Sequence, residues 1–148
     1  MIQWTRNNST LNTANYIYAN IYSLMTAITY APLIAITSQS TNKTKYFLSG
    51  VTNYDKKDRY VSMLINVRNN GTEGLTAGVI SIGDQEYPYG FYDVTIYQNN
   101  NASNLDPANA VKVLYKTMMN FEAVNNDGVT YTEYESTISS PTYITNTI

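Results

Sequence analysis

The clearest period in the chain falls in residues 60–67, where Val61, Met63, Ile65 and Val67 alternate with Tyr60, Ser62, Leu64 and Asn66. One set is wholly apolar, which is the signature of a strand with one buried face. Residues 90–98 repeat the pattern, with Tyr92, Val94 and Ile96 opposing Phe91, Asp93, Thr95 and Tyr97. Further strand-like runs cover residues 16–22 with a continuation over 24–29, residues 33–37 after Pro32, and residues 45–51. Residues 75–82 carry Gly78 and end at Gly83-Asp84, which predicts a short strand with a bend. Residues 111–124 contain the helix formers Ala and Lys. Val111, Val113, Tyr115, Thr117, Met119 and Phe121 nevertheless alternate, and the spacing predicts a strand.

Turn chemistry separates these runs. Residues 38–44 read as a hairpin loop, 53–58 as a charged turn, 68–71 as a turn and 99–109 as a polar loop. Asn126-Asp127-Gly128 suits a tight hairpin, after which residues 129–134 pair back and 142–145 close the chain. Eight or nine short strands in one chain of 148 residues predict a single all-β domain, an antiparallel β-sandwich over residues 16–148. Residues 5–15 are polar and lack a period, so residues 1–15 read as an extended N-terminal arm. Trp4 and Arg6 within it are candidate partner contacts, because an apolar hook on a polar arm can tie a terminus to a neighbour. A lone Trp near a terminus is nevertheless more often packed on its own domain than on a partner. On the arm reading, deleting residues 1–15 leaves the domain folded.

Composition narrows the chemistry. The chain has no Cys and no His, which removes the thiol nucleophile, the Cys-ligated metal site and the commonest general base. No P-loop, dinucleotide-binding glycine motif or nucleophile elbow occurs. Asp84 with Glu86, and Glu133 with Glu135, are spaced so that a strand would place each pair on one face. They read as solvated polar positions rather than as the carboxylate pair of a glycosidase. Residues 125–128 read as a turn rather than a calcium loop, because they lack a spaced ligand set. The expectation is a protein that is not an enzyme and carries no cofactor or metal. The acidic pI of about 4.9 argues against nucleic acid as a partner. Residues 21–36 are too polar for a membrane span, and residues 1–6 lack the pattern of a signal peptide.

Only 14% of residues are charged, while 15 Tyr, 19 Asn and 19 Thr supply polarity from neutral groups. So many tyrosines cannot all be buried, since each buried hydroxyl needs a partner. Those at the surface favour interfaces, with stacking on sugars as the rival use. Residues 1–70 hold 7 basic and 2 acidic residues, and 71–148 hold 2 and 9, giving +5 against −7. If the halves expose different surfaces, complementary docking follows. If the sheets interleave them, the polarity is blurred. The cluster Tyr54, Lys56, Lys57, Arg59 and Tyr60 mixes aromatic and basic side chains and completes the candidate partner interface.

Residues 90–98, followed by Asn104-Leu105-Asp106-Pro107, resemble a pattern in small virion proteins of tailed bacteriophages. There a strand reading roughly G-x-Y-x-(V/Y)-x-(I/V)-Y precedes a polar loop ending N-L-D-P. Asp58-Arg59-Tyr60 is similar to the start of another of their strands, and residues 32–51 to one of their hairpins. The resemblance covers about residues 28–110 and extends to auxiliary capsid or cement (decoration) proteins, including those of crAss-like phages. It implies an immunoglobulin-like sandwich and transfers no functional residue. The resulting expectation is a structural protein of the virion, assembled in the host bacterial cytoplasm. Its partners would be the major capsid protein, other virion proteins or copies of itself. A neck, tail or head-fibre component and a carbohydrate-binding module for host adhesion are the alternatives.

Overall fold

The computed structural model describes residues 1–55, 59–69 and 71–124. Over those residues the chain is all-β, with nine strands in two facing sheets. They are β1 (Ile2–Arg6), β2 (Asn12–Ala19), β3 (Leu33–Ser38), β4 (Thr44–Leu48), β5 (Thr52–Asp55), β6 (Tyr60–Arg68), β7 (Val79–Ile80), β8 (Gly90–Gln98) and β9 (Lys112–Ala123). One sheet runs β1-β9-β8-β3-β4. The other runs β2-β6-β5, with β7 also on β6. Most pairs are antiparallel, but β1 lies parallel to β9 and β7 parallel to β6, so the sheets are mixed.

The alternations read from the sequence define the core. Val61, Met63, Ile65 and Val67 of β6 are fully buried, and so are Tyr92 and Ile96 of β8. They meet Ile17 of β2, Ile34 and Ile36 of β3, Phe47 of β4, and Met119 and Phe121 of β9. The strand expected at residues 111–124 is β9. Its register slips between Ile96 and Tyr97, where Ile96 faces Tyr115 and Tyr97 faces Val113. Leu114 is therefore an extra residue, a bulge, and it turns into the core.

Three expectations change. The polar N-terminus is not a free arm. Ile2 and Trp4 alternate with Gln3 and Thr5 to make β1, and residues 12–15 already belong to β2. The strand expected to continue over residues 24–29 gives way to a 3-10 turn at Tyr22–Leu24. Beyond it Thr26 is clamped by Gln98, whose Oε1 accepts from the Thr26 N–H at 3.0 Å and whose Nε2 donates to Thr26 Oγ1 at 2.7 Å. The charged turn expected at residues 53–58 instead begins as β5, because the edge of β6 offers Thr52 to Asp55 a ladder. The elements expected at 126–128, 129–134 and 142–145 lie outside the described residues.

β5 and β7 share one edge of β6, and the join between them is tight. The Gly50 N–H donates to the Leu64 carbonyl at 2.8 Å, and the Asn66 N–H donates to the Gly78 carbonyl at 2.8 Å. Gly78 sits at φ +72°, and a β-carbon there would lie 2.3 Å from the Gly50 nitrogen. Only glycine meets both demands. Gly74, four residues earlier, has nothing within 3.6 Å of that position. Gly78→Ala should cost more than about 2 kcal/mol in chemical denaturation, against less than about 1 kcal/mol for Gly74→Ala. Equal losses would show that the close approach at Gly50 is not real.

Candidate interaction surface

The candidate interface residues separate into three environments. Trp4, on the inward face of β1, is fully buried and lies 6.3 Å from the Phe47 ring. It is a core residue and not a hook. Arg6 is also internal in its work. Its Nε donates to Asn8 Oδ1 at 2.6 Å, one terminal nitrogen to the Ile82 carbonyl at 2.8 Å, and the other to Asn69 Oδ1 at 2.9 Å. The guanidinium thus joins β1 to the turn after β6 and to the segment after β7. Tyr54 points inward from β5 and meets the Tyr22 ring edge-on at 6.3 Å. Burial raises its pKa. Lys56 and Lys57 lie outside the described residues.

Arg59 and Tyr60 remain at the surface. Arg59 is exposed, at φ +64° in the turn that opens β6. Its carbonyl accepts from the Tyr22 N–H at 3.3 Å. Tyr60 faces outward at the start of β6, with the Tyr18 ring 6.2 Å away. Tyr18 in turn stacks on Tyr16 at 5.9 Å. Tyr16 and Tyr18 are 47% and 66% exposed, so the row is presented to solvent rather than closed over by side chains. The register sets Tyr16 beside Leu64 and Tyr18 beside Ser62, and the outer face continues through Asn66 and Asn53. The result is a neutral aromatic strip on the outer face of the sheet, with the exposed Arg59 next to Tyr60 at its end.

Tyr16 and Tyr18 were absent from the sequence-derived candidates. The signal for them is the alternation with the buried Asn15, Ile17 and Ala19 in β2. Reading 5–15 as a loop hid the first half of that pattern. Asn15 looks like a loop residue but works as a surrogate peptide group. Its Oδ1 accepts from the Thr5 N–H and its Nδ2 donates to the Thr5 carbonyl, both at 2.9 Å. This bridges β1 in one sheet to β2 in the other.

Among the described residues the charge division between the chain halves does not become an end-to-end polarity. β1 pairs with β9 and β3 with β8, so the halves interleave. Lys45 pairs across them with Glu73 at 2.6 Å and lies 4.5 Å from the centre of the Tyr87 ring. Asp84 and Glu86 are on a turn and not on a strand. Asp84 Oδ1 accepts from the backbone N–H groups of Glu86 and Tyr87 at 3.0 and 2.8 Å, as a turn-capping carboxylate does. Glu133, Glu135 and residues 125–128 lie outside the described residues. Among the described residues no three acidic side chains gather as a metal site, and no helix is long and apolar enough to cross a membrane. An open depression of about 470 Å³ lies between Tyr30, Leu48, Gly50, Val51 and Ala77, without a charged residue in its wall. No protein-family model, curated protein or solved structure matches the chain.

Three tyrosines have raised pKa values. In Tyr92 the cause is burial, with Asp84 and Tyr87 adding to it, and its hydroxyl donates to the Pro88 carbonyl at 2.6 Å. Tyr87 is raised by burial and then by Glu86, Glu73 and Asp84. Ionisation is thus disfavoured in the folded state and free to occur in the unfolded chain. Full stability is present below about pH 10, where an ordinary tyrosine begins to ionise, and is lost as pH rises through the higher folded-state values. The melting temperature should fall above that pH. Tyr92→Phe should cost about 1 kcal/mol at neutral pH and make the alkaline fall shallower. An unchanged alkaline slope would remove Tyr92 from this account.

The arm reading and the observed fold predict opposite results on truncation. Deleting residues 1–15 removes β1 and half of β2, so the remainder should fail to give a cooperative unfolding transition. Arg6→Ala should lower stability by about 2–4 kcal/mol, because charge-assisted bonds are lost and the Ile82 carbonyl is left without its donor. A cooperative truncated domain, measured by calorimetry, would restore the arm.

Proposed function

We propose that the chain is a non-enzymatic structural protein of a phage particle, an auxiliary capsid or cement protein that binds the shell through the outer face of the β2-β6-β5 sheet. The observation that carries this reading is the row Tyr16, Tyr18, Tyr60 and Arg59. A sheet holds these side chains rigidly, tyrosines bury large area at small entropic cost, and an arginine at the rim adds directional hydrogen bonds. An aromatic row spread along an open sheet face suits a broad protein surface better than a single sugar. With Trp4 in the core, an aromatic groove built around that residue is not available for the carbohydrate-module reading.

The fold within this proposal is immunoglobulin-like. Its support is the strand order, in which β2-β6-β5 faces β4-β3-β8-β9 and the first strand runs parallel to the last described one. A second support is Tyr92 at the start of β8, whose hydroxyl bonds back to the Pro88 carbonyl. Immunoglobulin-like sandwiches place such a tyrosine corner at the start of the equivalent strand. The resemblance of residues 90–107 to small virion proteins agrees with both. In the N-L-D-P segment, Asp106 caps the 3-10 turn at Pro107–Asn109 by accepting from the Ala108 N–H at 2.9 Å.

Quantitative mass spectrometry of purified particles tests the assignment. Hundreds of copies relative to the major capsid protein are expected for a shell-coating role. About a dozen or fewer would instead fit the neck, tail or head-fibre alternative, and absence from the particle would discard the virion reading. Tyr18→Ser combined with Arg59→Glu should weaken shell binding ten-fold or more, with stability nearly unchanged. Binding that survives both changes would move the contact to another face.

A further inference from the structure

The outer face of the five-stranded sheet presents a second row of apolar side chains. The register of β8 with β9 sets Phe91 beside Asn120, Asp93 beside Met118, Thr95 beside Lys116 and Tyr97 beside Val113. Phe91, Val113 and Met118 are 48%, 47% and 39% exposed. On the far side of β9, Gln3 and Thr5 of β1 stand beside Asn120 and Glu122. Asp93, Lys116 and Glu122 are the charged side chains that this register brings to the face. Asp93 is already held by Gln39 Nε2 at 3.0 Å. Lys116 makes no ion pair among the described residues.

We infer that this face is an interface between two copies of the chain, related by a two-fold axis that crosses β9 near residue 119. Such an interface must be complementary to itself. The spacing along β9 meets that condition. Lys116 and Glu122 share the outer face, six residues or roughly 20 Å apart at the usual strand rise, with Met118 and Asn120 between them. Turning one β9 antiparallel over another about their midpoint brings Lys116 over the second copy's Glu122, and Glu122 over its Lys116. The same operation draws Phe91 and Met118 of both copies together around the axis. Around the axis Phe91 and Met118 stand with Asp93 and Asn120, the Asp93 carboxylate being held by Gln39, and the complementary Lys116 and Glu122 lie farther out. The tyrosine strip lies on the opposite sheet and stays free, so this dimer does not depend on the shell-binding reading.

Sedimentation velocity of the full chain across the micromolar range tests the dimer, with circular dichroism to show that each variant folds. Phe91→Lys and Met118→Lys should each raise the dissociation constant at least ten-fold. Lys116→Glu and Glu122→Lys should each weaken the dimer, and combining them should recover most of the loss, because the pair is then reversed rather than removed. A wild-type monomer throughout the range, or a higher oligomer, overturns the inference. So does a dimer indifferent to Met118→Lys, or one that the combined charge reversal fails to rescue.

Discussion

The Arg6 guanidinium joins stretches of chain that no ladder connects. At the end of β1 the chain leaves one sheet, and by Asn12 it has entered the other. A crossing of this kind leaves polar backbone near the core, where an unmade hydrogen bond is expensive. Arg6 meets that cost from one side, by binding the Ile82 carbonyl, Asn8 and Asn69. Asn69 adds its own bond to the Asn8 carbonyl at 2.9 Å. Asn15 meets it from the other side, by completing the Thr5 peptide group. With the crossing fixed, Trp4 is held over Phe47 and the first strand closes the sheet beside β9.

This latch determines which surfaces are free. The N-terminal segment is consumed by the fold, so on the proposed reading the sheet faces carry the contacts. Both outer faces carry exposed large side chains, yet of different kinds. The β2-β6 face offers hydroxylated rings in a row beside a basic turn. The β8-β9 face offers Phe91, Val113 and Met118 among charges of both signs. On the proposed reading the first meets a shell and the second meets another copy. A rigid sandwich that binds on both sides uses neutral polar groups well, because Asn, Thr and Tyr keep the surface hydrated without the desolvation cost of burying charge.

The fold was legible wherever alternation ran for several residues. β6 and β8 could be read outright, since each carries three or four apolar residues on one face. β9 was legible despite its helix formers, although its bulge at Leu114 was not, because a one-residue slip leaves no compositional trace. β1 and β5 were missed for a common reason. Each is short, four or five residues, and each holds one or two inward side chains among polar ones. Their strand character comes from the edge they pair with, which is tertiary information. The site divided in the same way. That Arg59 and Tyr60 stand at the surface is legible from local sequence, but the outward row of Tyr16 and Tyr18 required knowing that residues 12–15 extend β2. The inward work of Trp4 and Arg6 was not legible, because composition cannot show that a polar segment crosses between sheets.

The latch is most directly tested by hydrogen exchange at the amides of Trp4, Thr5 and Arg6 in the full chain. The account predicts that they exchange as slowly as those of Val61 to Val67 in β6, through the same cooperative opening, because β1 forms part of one closed core. Exchange of those three amides at the rate of an unstructured peptide, with β6 still protected, would show a terminus that detaches while the sandwich stands. That result would contradict the account.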